Sequence, residues 1–261
     1  MKAVVLRQHG TLEDLAYVDL PAPEIGPDEV LLEVKAAALN RLDLWVVEGW
    51  PGLRLDFPHI LGSDGAGVIA AVGEQVEGFQ VGDRVVVNPT LSCGRCDFCR
   101  AGRENLCDEF KIIGEHVPGF FAQLAAVPAR NLLALPDHVS FAEAAAASLV
   151  LVTAWHMLVV AGRLRAGEDV LVVGAGGGVN SAAIQIARLA GARHIYVVGS
   201  TAAKLAQAEA LGADVLINAR NTDPVQAIRD MTGGAGAGFI VETSGNYDAL
   251  LQSIAMSAVD G

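Results

Sequence analysis

The stretch Asp169–Ala187, DVLVVGAGGGVNSAAIQIA, passes from a run of branched apolar residues through a glycine-rich turn into an apolar helical pattern. Asp169–Val173 predicts a buried β-strand, and the apolar spacing of Val179–Leu189 predicts a helix. Glycines at such a turn let the backbone approach a ligand closely, and the free N–H groups of the helix N-terminus attract anions. The stretch therefore predicts a strand–turn–helix unit that binds phosphate.

The same alternation of strand and helix continues toward the C-terminus. The predicted strands are His194–Val198, Asp214–Ile217 and Gly238–Val241, and the predicted helices are Ala202–Leu211, Pro224–Met231 and Tyr247–Ile254. Four βα units in series predict a doubly wound parallel sheet covered by helices on both faces.

In this setting the glycine turn favours a dinucleotide site. A phosphate-binding P-loop is excluded, because the turn lacks the Gly-Lys-Ser/Thr ending. The candidate cofactor-binding residues of the turn are Gly174, Ala175, Gly176, Gly177, Gly178, Val179 and Asn180.

The end of the next strand bears on the choice of cofactor. An Asp or Glu there would bind the ribose 2′-hydroxyl of NAD, but this strand ends in Gly199 and Ser200, with Lys204 one turn later. Ser200 and Lys204 are suited to a 2′-phosphate, so NADP(H) is favoured. Alternatively, Ser200 caps the helix and Lys204 is a solvated charge, which leaves NAD(H) possible.

The N-terminal half has a different pattern, with short β segments divided by glycine and proline. The predicted strands are Ala3–Leu6, Val30–Ala37, Gly67–Val72, Arg84–Val87 and Phe121–Val127. They predict an irregular β-rich domain, a partly closed barrel, over residues 1–135, followed by the dinucleotide domain over residues 136–261.

All four cysteines of the chain lie in one run, CGRCDFCRAGRENLC, inside a loop at about residues 90–110. They are Cys93, Cys96, Cys99 and Cys107. Short CxxC spacings let one loop supply four thiolates to a tetrahedral Zn²⁺, and a closed site of this kind is structural. Two disulfides or four independent thiols are the alternatives.

Composition limits the partners. The chain has 18 Lys and Arg against 30 Asp and Glu, a net charge of −12, without a basic stripe, so neither nucleic acid nor an anionic membrane is expected as a partner. The N-terminus lacks the apolar core of a signal peptide, which favours a cytoplasmic location. The uncharged stretch Ala144–Ala161 reaches the lower length limit for a membrane span, but we interpret it as a buried helix pair.

Several segments resemble the medium-chain dehydrogenase/reductase superfamily, the zinc-type alcohol dehydrogenases and their quinone oxidoreductase relatives. They are GPDEVLLEVKAAALN (26–40), LGSDGAGVIAAVGEQVEGFQVGDRVVV (61–87), the cysteine loop, the glycine turn and LAQAEALGADVLIN (205–218). The resemblance implies a GroES-like catalytic domain followed by a Rossmann domain, a small-molecule substrate between them, and a homo-oligomer. Family chains continue past the position of Gly261, so a C-terminally truncated member is expected.

Three departures from the family decide the predicted chemistry. The family resemblance expects a zinc-binding Cys at position 40, where this chain has Asn40, and a zinc-binding His at position 63, where it has Ser63. A third ligand is expected near Ser148 and Leu149. None of these residues is a thiol or an imidazole, so a catalytic zinc is not expected and one structural Zn²⁺ remains. In addition, Asn180 replaces the last glycine of the turn, which predicts a preserved turn with altered helix packing.

The zinc-free branch of the superfamily resembles quinone and enone reductases, in which hydrogen-bond donors replace the metal. The candidate catalytic residues are Asn40, Asp43, Ser63, Asp64 and Thr153. The chain is thus predicted to be an NAD(P)H-dependent oxidoreductase that acts on a small carbonyl, quinone or enone. The alternatives are an alcohol dehydrogenase that recruits a metal through Asp43, Asp64 and His59, and a catalytically silent NADPH-binding protein.

Overall fold

The computed structural model describes residues 1–259 and divides into two compact units, Met1–Leu149 and Val150–Gly261. Asp260 and Gly261, after which the resemblance expects family chains to continue, lie outside the described residues.

Unit 1 is built mainly from short antiparallel strands. Its strands are β1 (Lys2–Leu6), β2 (Leu15–Asp19), β3 (Glu29–Ala38), β4 (His59–Ile60), β5 (Asp64–Val72), β6 (Arg84–Val87), β7 (Thr90–Leu91), β8 (Lys111–Ile112), β9 (Leu124–Pro128) and β10 (Leu132–Ala134). Its helices are α1 (Arg41–Glu48), α2 (Asp97–Arg100) and the start of α3 (Phe141–Trp155).

The main sheet of unit 1 has the order β10-β6-β5-β3-β9. Alternate residues of its strands face the core, and Val30, Leu32, Ile69, Val85 and Val127 are fully or almost fully buried. This alternation is the pattern expected of an antiparallel sheet with one face covered. The strands β3 and β5 approach so closely that a Cβ on Gly67 would lie 2.1 Å from the carbonyl oxygen of Glu33.

A second sheet, β2-β1-β4, joins the first through residues 121–123. Val4 donates its backbone N–H to Phe121 O, and Ala3 forms an isolated bridge with Ala122. The predicted strand Phe121–Val127 therefore contacts both sheets, as a partly closed barrel requires. The helix α1 packs Val46 and Val47 against Leu6 and Leu61 beneath this second sheet.

The apolar stretch 144–161 is part of one continuous helix rather than the predicted pair. The helix starts with the capping box of Ser140 and Glu143, runs through α3 and continues as a π-helical turn, His156–Ala161. Within residues 1–259, Phe141–Ala161 is the one helix long and apolar enough to cross a membrane, and 22% of its most apolar window is buried. Its buried residues serve two cores: Ala144 and Ala145 lie in that of unit 1, and Ala154 and Leu158 in that of unit 2.

Unit 2 alternates strands and helices. Its strands are β11 (Val170–Val173), β12 (Ile195–Gly199), β13 (Val215–Asn218) and β14 (Phe239–Glu242), and its helices after α3 are α4 (Gly178–Leu189), α5 (Ala202–Ala210), α6 (Pro224–Met231) and α7 (Tyr247–Met256). The strands form a parallel sheet of order β13-β12-β11-β14. Val170 and Val172 face one apolar cluster and Leu171 and Val173 another, so the sheet has a core on each face.

The predicted fold class, a β-rich domain followed by a doubly wound parallel sheet, is confirmed. Every strand and helix predicted for residues 169–254 is present, within a few residues. In unit 1 the strands β2, β4, β7, β8 and β10 and the helix α1 were not predicted, because they are short or lack a clear apolar period. The compact units divide after Leu149, whereas the predicted domain boundary follows residue 135; the difference arises because the first turns of α3 pack on Ala66 and Leu135.

Candidate functional site

The four cysteines converge in one cluster. The sulfur atoms of Cys93, Cys96, Cys99 and Cys107 all lie within 4.8 Å of one another, and all four thiols are free. Within residues 1–259 this is the one grouping of three or more His, Cys, Asp or Glu side chains placed to share a metal ion.

The geometry of the cluster fits zinc. Cys99 Sγ lies 3.5 Å from Cys96 Sγ and 3.8 Å from Cys93 Sγ. A ZnS₄ tetrahedron with Zn–S bonds of about 2.3 Å has edges of about 3.8 Å. Backbone N–H groups also point at the sulfurs: Cys96 N donates to Cys93 Sγ at 3.3 Å and Cys93 N to Cys107 Sγ at 3.4 Å. The donor set and the spacing thus suit one zinc ion held by four thiolates.

The peptide groups of the loop favour the thiolate form that a metal needs. Hydrogen bonds from the backbone of Arg95 and Cys96 lower the pKa of Cys93 to about 6. The short helix α2 begins at Cys96, whose sulfur accepts the N–H of Cys99. The backbone hydrogen bonds that fold the loop therefore also favour the thiolate form of the metal ligands.

A second polar cluster lies in the core of unit 1, around Asp64 at the start of β5. Asp64 is 1% exposed. Its Oδ2 accepts the side-chain amide of Asn40 at 2.7 Å, and its Oδ1 accepts the backbone N–H of Leu149 at 2.7 Å. Asp64 thus connects the residue before α1 with the middle of α3.

Asn40 and Asp43 form the other half of this cluster. The backbone N–H of Asn40 donates to Asp43 Oδ2 at 2.6 Å, so Asp43 caps the start of α1. The Asn40 side chain is turned toward Asp64 instead of capping the helix. Asn40 therefore donates to two buried carboxyl groups, with its side-chain amide to Asp64 and with its backbone N–H to Asp43.

Two buried polar atoms in this cluster have no hydrogen-bond partner among the described residues. They are Asp43 Oδ1 and Ser63 Oγ. Asp43 is 5% exposed and Ser63 is 0% exposed. An unpaired buried polar atom costs about 1–3 kcal/mol. The cluster thus has hydrogen-bonding capacity that suits a polar ligand atom.

Burial also changes the acid–base properties of the cluster. The pKa of Asp43 is raised, chiefly by burial and further by the charge of Asp64, against the effect of the Asn40 N–H. Burial likewise raises the pKa of Asp64, although the hydrogen bonds from Asn40 and Leu149 oppose it. The two carboxyl groups accordingly hold protons to higher pH than an exposed Asp does.

The other candidates lie elsewhere. Thr153 is a half-buried residue of α3 in unit 2. His59 is buried, and its Nε2 donates to the carbonyl oxygen of Gly114 at 3.1 Å. His59 therefore does not group with Asp43 and Asp64 as a set of metal ligands, and the structure does not support that alternative.

The predicted cofactor residues meet at the carboxyl edge of the unit 2 sheet. Gly174 and Gly177 have φ angles of +107° and +105°, which L side chains rarely adopt. Gly177 and Gly178 are exposed at the start of α4, where the first N–H groups of a helix have no partner within the helix. Ala175 and Val179 lie on the inner side of the turn, against the apolar core of the unit.

The end of β12 comes close to the same turn. A Cβ on Gly199 would lie 2.5 Å from that of Ala175, and a Cβ on Gly176 would lie 2.8 Å from Lys204 Cδ. The aliphatic stem of Lys204 thus lies over the glycine turn. Ser200 is exposed, and the N-cap position of α5 is held by Thr201, not by Ser200 as one alternative supposed.

Asn180 preserves the turn by bonding to it. Its Nδ2 donates to the carbonyl oxygens of Val173 at 3.1 Å and Gly174 at 2.8 Å, and its Oδ1 accepts the hydroxyl of Thr243 at 2.7 Å. Neither Thr243 nor the backbone N–H of Leu149 is among the site residues predicted from the sequence. A polar residue directly after a predicted parallel strand was the available signal for Thr243, whereas nothing in the sequence pattern indicates the Leu149 contact.

We predict that Cys96→Ser removes the metal and lowers stability. Loss of one ligand opens the tetrahedron, so the melting temperature should fall by about 5–10 °C, although a serine hydroxyl can still cap α2. Elemental analysis and thermal unfolding measure both effects. Glu109→Gln, an exposed change in the same loop, is the control and should retain zinc; full zinc content in Cys96→Ser would contradict the assignment.

Asp43→Asn should change the pH dependence of stability. A carboxyl group whose pKa is raised by folding stabilises the protein below its unfolded pKa, and this contribution is lost as pH rises through the folded pKa. The melting temperature of the variant minus that of wild type should therefore increase by a few degrees from about pH 5 to about pH 7.5. Asp19→Asn, at an exposed site, should show an almost constant difference; the same constancy in Asp43→Asn would argue against a raised pKa.

Comparison with known families covers most of the chain. Residues 26–137 match the family described as alcohol dehydrogenase GroES-like domain, and residues 178–261 match the family described as zinc-binding dehydrogenase. The L-threonine 3-dehydrogenase of Bacillus velezensis is 32% identical over 100% of this chain and 74% of its own length. The sorbitol dehydrogenase of Bacillus subtilis is 35% identical over 98% of this chain and 71% of its own.

Solved structures agree with these matches. An NAD-dependent alcohol dehydrogenase has a TM-score of 0.94 and 48% identity, covering 99% of this chain and 75% of its own. A zinc-binding dehydrogenase of Sinorhizobium meliloti 1021 bound to NADP has a TM-score of 0.89 and 30% identity, covering 100% and 74%. The quinone oxidoreductase of Pseudomonas syringae pv. Tomato DC3000 has a TM-score of 0.81 and 31% identity, covering 98% and 70%.

The two family matches, together with relatives above 30% identity along the whole chain, confirm the family expected from the sequence. The chain therefore belongs to the zinc-type alcohol dehydrogenases of the medium-chain dehydrogenase/reductase superfamily and is an NAD(P)-dependent oxidoreductase.

Proposed function

We propose that this oxidoreductase transfers hydride between NADP(H) and a small carbonyl, quinone or enone, with zinc in the cysteine loop alone. The observation that carries the proposal is the polar cluster of Asn40, Asp43, Ser63 and Asp64. It stands where the family resemblance expects the ligands of a catalytic zinc. In this chain Asn40, Asp43 and Asp64 form hydrogen bonds with one another or with the backbone, whereas Ser63 Oγ has no partner among the described residues.

The chemistry of this donor set does not fit a catalytic zinc. Zinc in proteins takes thiolate, imidazole and carboxylate ligands. Asn40 supplies an amide and Ser63 a hydroxyl, and both oxygens of Asp64 accept N–H groups. The third expected ligand falls at Ser148, whose hydroxyl donates to Val87 O, or at Leu149. No step of the proposed reaction therefore runs through a metal.

Hydrogen-bond donors would stabilise the substrate instead. When bound, the nicotinamide supplies a hydride to the acceptor carbon, and negative charge develops on the acceptor oxygen. The unpartnered hydroxyl of Ser63 and the second amide hydrogen of Asn40 are donors suited to that oxygen. Asp43 would hold Asn40 in place through the Asn40 backbone N–H, and Asp64 would orient the Asn40 side-chain amide.

Cofactor choice rests on the turn and on Lys204. The first N–H groups of α4 suit a pyrophosphate, and no carboxylate follows β12 at Gly199 and Ser200 to repel a 2′-phosphate. The stem of Lys204 lies over Gly176, which brings its charge to the phosphate-binding region. The similar Sinorhizobium structure binds NADP, whereas the similar alcohol dehydrogenase is NAD-dependent, so the choice needs a direct test.

The proposal also includes the cellular location of the protein, its partners and its oligomeric state. A cytoplasmic location would keep the four thiols reduced and able to bind zinc. A net charge of −12 favours a small-molecule substrate over nucleic acid or an anionic membrane as a partner, and the homo-oligomer implied by the family resemblance stays a prediction.

Ser63→Ala should reduce turnover without loss of cofactor binding. The test is NADPH consumption with p-benzoquinone, cyclohexenone and acetaldehyde. Removal of one donor to the developing oxyanion should lower kcat about ten- to a thousand-fold. The dissociation constant of NADPH, measured by fluorescence, should not change. NADPH binding by wild type without turnover of any acceptor would favour a catalytically silent protein, and equal kcat in Ser63→Ala would remove Ser63 from the site.

Lys204→Glu should reverse the cofactor preference. Wild type should bind NADPH more tightly than NADH, and the variant should lose about ten- to a hundred-fold in affinity for NADPH, because a charge-assisted contact becomes a repulsion. Its affinity for NADH should change little. Lys111→Glu makes the same charge change in unit 1 and should leave both affinities unaltered; equal NADPH and NADH affinities in wild type would refute the preference.

A further inference from the structure

The strand order of unit 2 has one switch point. From β11 the sheet extends through β12 and β13 on one side and through β14 on the other. Val173 and Glu242 form the last residue pair between β11 and β14. Gly174 and Thr243 are therefore the first residues after these two strands. In open α/β sheets, ligands bind in the crevice outside the carboxyl ends of the strands at this point.

Asn180 bridges the two sides of that crevice. Its side chain, on a residue that is 4% exposed, bonds to Val173 O and Gly174 O on the β11 side and to the Thr243 hydroxyl on the β14 side. The two donors and the acceptor of the amide are thus all engaged, and the side-chain orientation is fixed.

The bridge also constrains the turn itself. The family resemblance expects the last glycine of the turn at the Asn180 position, and such a glycine allows close packing of helix on strand. Here a Cβ on Gly174 would lie 2.7 Å from Asn180 Nδ2, and Gly174 has a φ of +107°. The glycine at 174 therefore accommodates both the backbone conformation and the Asn180 amide, and the two residues depend on each other.

We propose that Asn180 and Thr243 form a clamp that sets the spacing between the glycine turn and the end of β14, and so positions the pyrophosphate and nicotinamide half of the cofactor. Both are positioning residues. The proposal rests on the proposed NADP(H) dependence. The clamp gives the replacement of glycine by Asn180 a specific role. The adenosine half of the cofactor would lie at the other end of the site, beside Ser200 and Lys204.

Thr243→Val tests the clamp, because valine keeps the shape of threonine and removes the hydroxyl. One lost hydrogen bond of ordinary strength should loosen the turn, so amides of residues 174–180 should exchange hydrogen about three- to ten-fold faster in the cofactor-free protein. Amides of α5 should not change. Thr243→Ser restores the hydroxyl and should restore slow exchange.

Two ligands separate positioning from a general loss of structure. Thr243→Val should weaken NADPH binding about three- to ten-fold and leave adenosine 2′,5′-bisphosphate binding unchanged, with Thr243→Ser close to wild type. Equal weakening of both ligands, or unchanged exchange and unchanged NADPH affinity, would overturn the clamp. If wild type binds neither NADPH nor NADH, the proposed function itself fails, whatever the exchange data show.

Discussion

The hydrogen bonds of one buried carboxyl group, that of Asp64, organise the candidate active centre. Asp64 begins β5, accepts the Asn40 amide and accepts a backbone N–H in the middle of α3. Leaving a buried carboxylate without such partners would cost several kcal/mol. The residue before α1, the start of the central strand β5 and Leu149 of α3 are thereby held to one another. The orientation of Asn40 depends on Asp64, and so does the position of Asn40 relative to Asp43.

This arrangement also explains why the chain retains polar residues where its family resemblance expects metal ligands. A cluster built on a metal is held by coordination bonds. Here Asn40 is held by two carboxyl groups, that of Asp64 through the side-chain amide and that of Asp43 through the backbone N–H, and the hydroxyl of Ser63 has no partner among the described residues. The cysteine loop is a separate structural matter, with its own ligands and its own hydrogen bonds to sulfur.

Much of unit 2 follows from local sequence. The run VLVVGAGGGV predicts strand, turn and helix because branched apolar residues, glycines and helical spacing succeed one another without ambiguity. The cysteine spacing predicts a metal loop for the same reason. By contrast, α1 has only eight residues and buries Asp43, so its pattern does not look helical. The contacts of Asp64 with Leu149 and of Asn180 with Thr243 join residues 85 and 63 positions apart, and no local pattern encodes them.

We propose that the protein works with a single zinc, held in the cysteine loop. Elemental analysis of purified, catalytically active protein, before and after dialysis against a chelator that strips open metal sites, tests this proposal. We expect one zinc per chain and turnover that the dialysis leaves unchanged. A second zinc per chain, whose removal abolishes turnover while the protein stays folded, would contradict it.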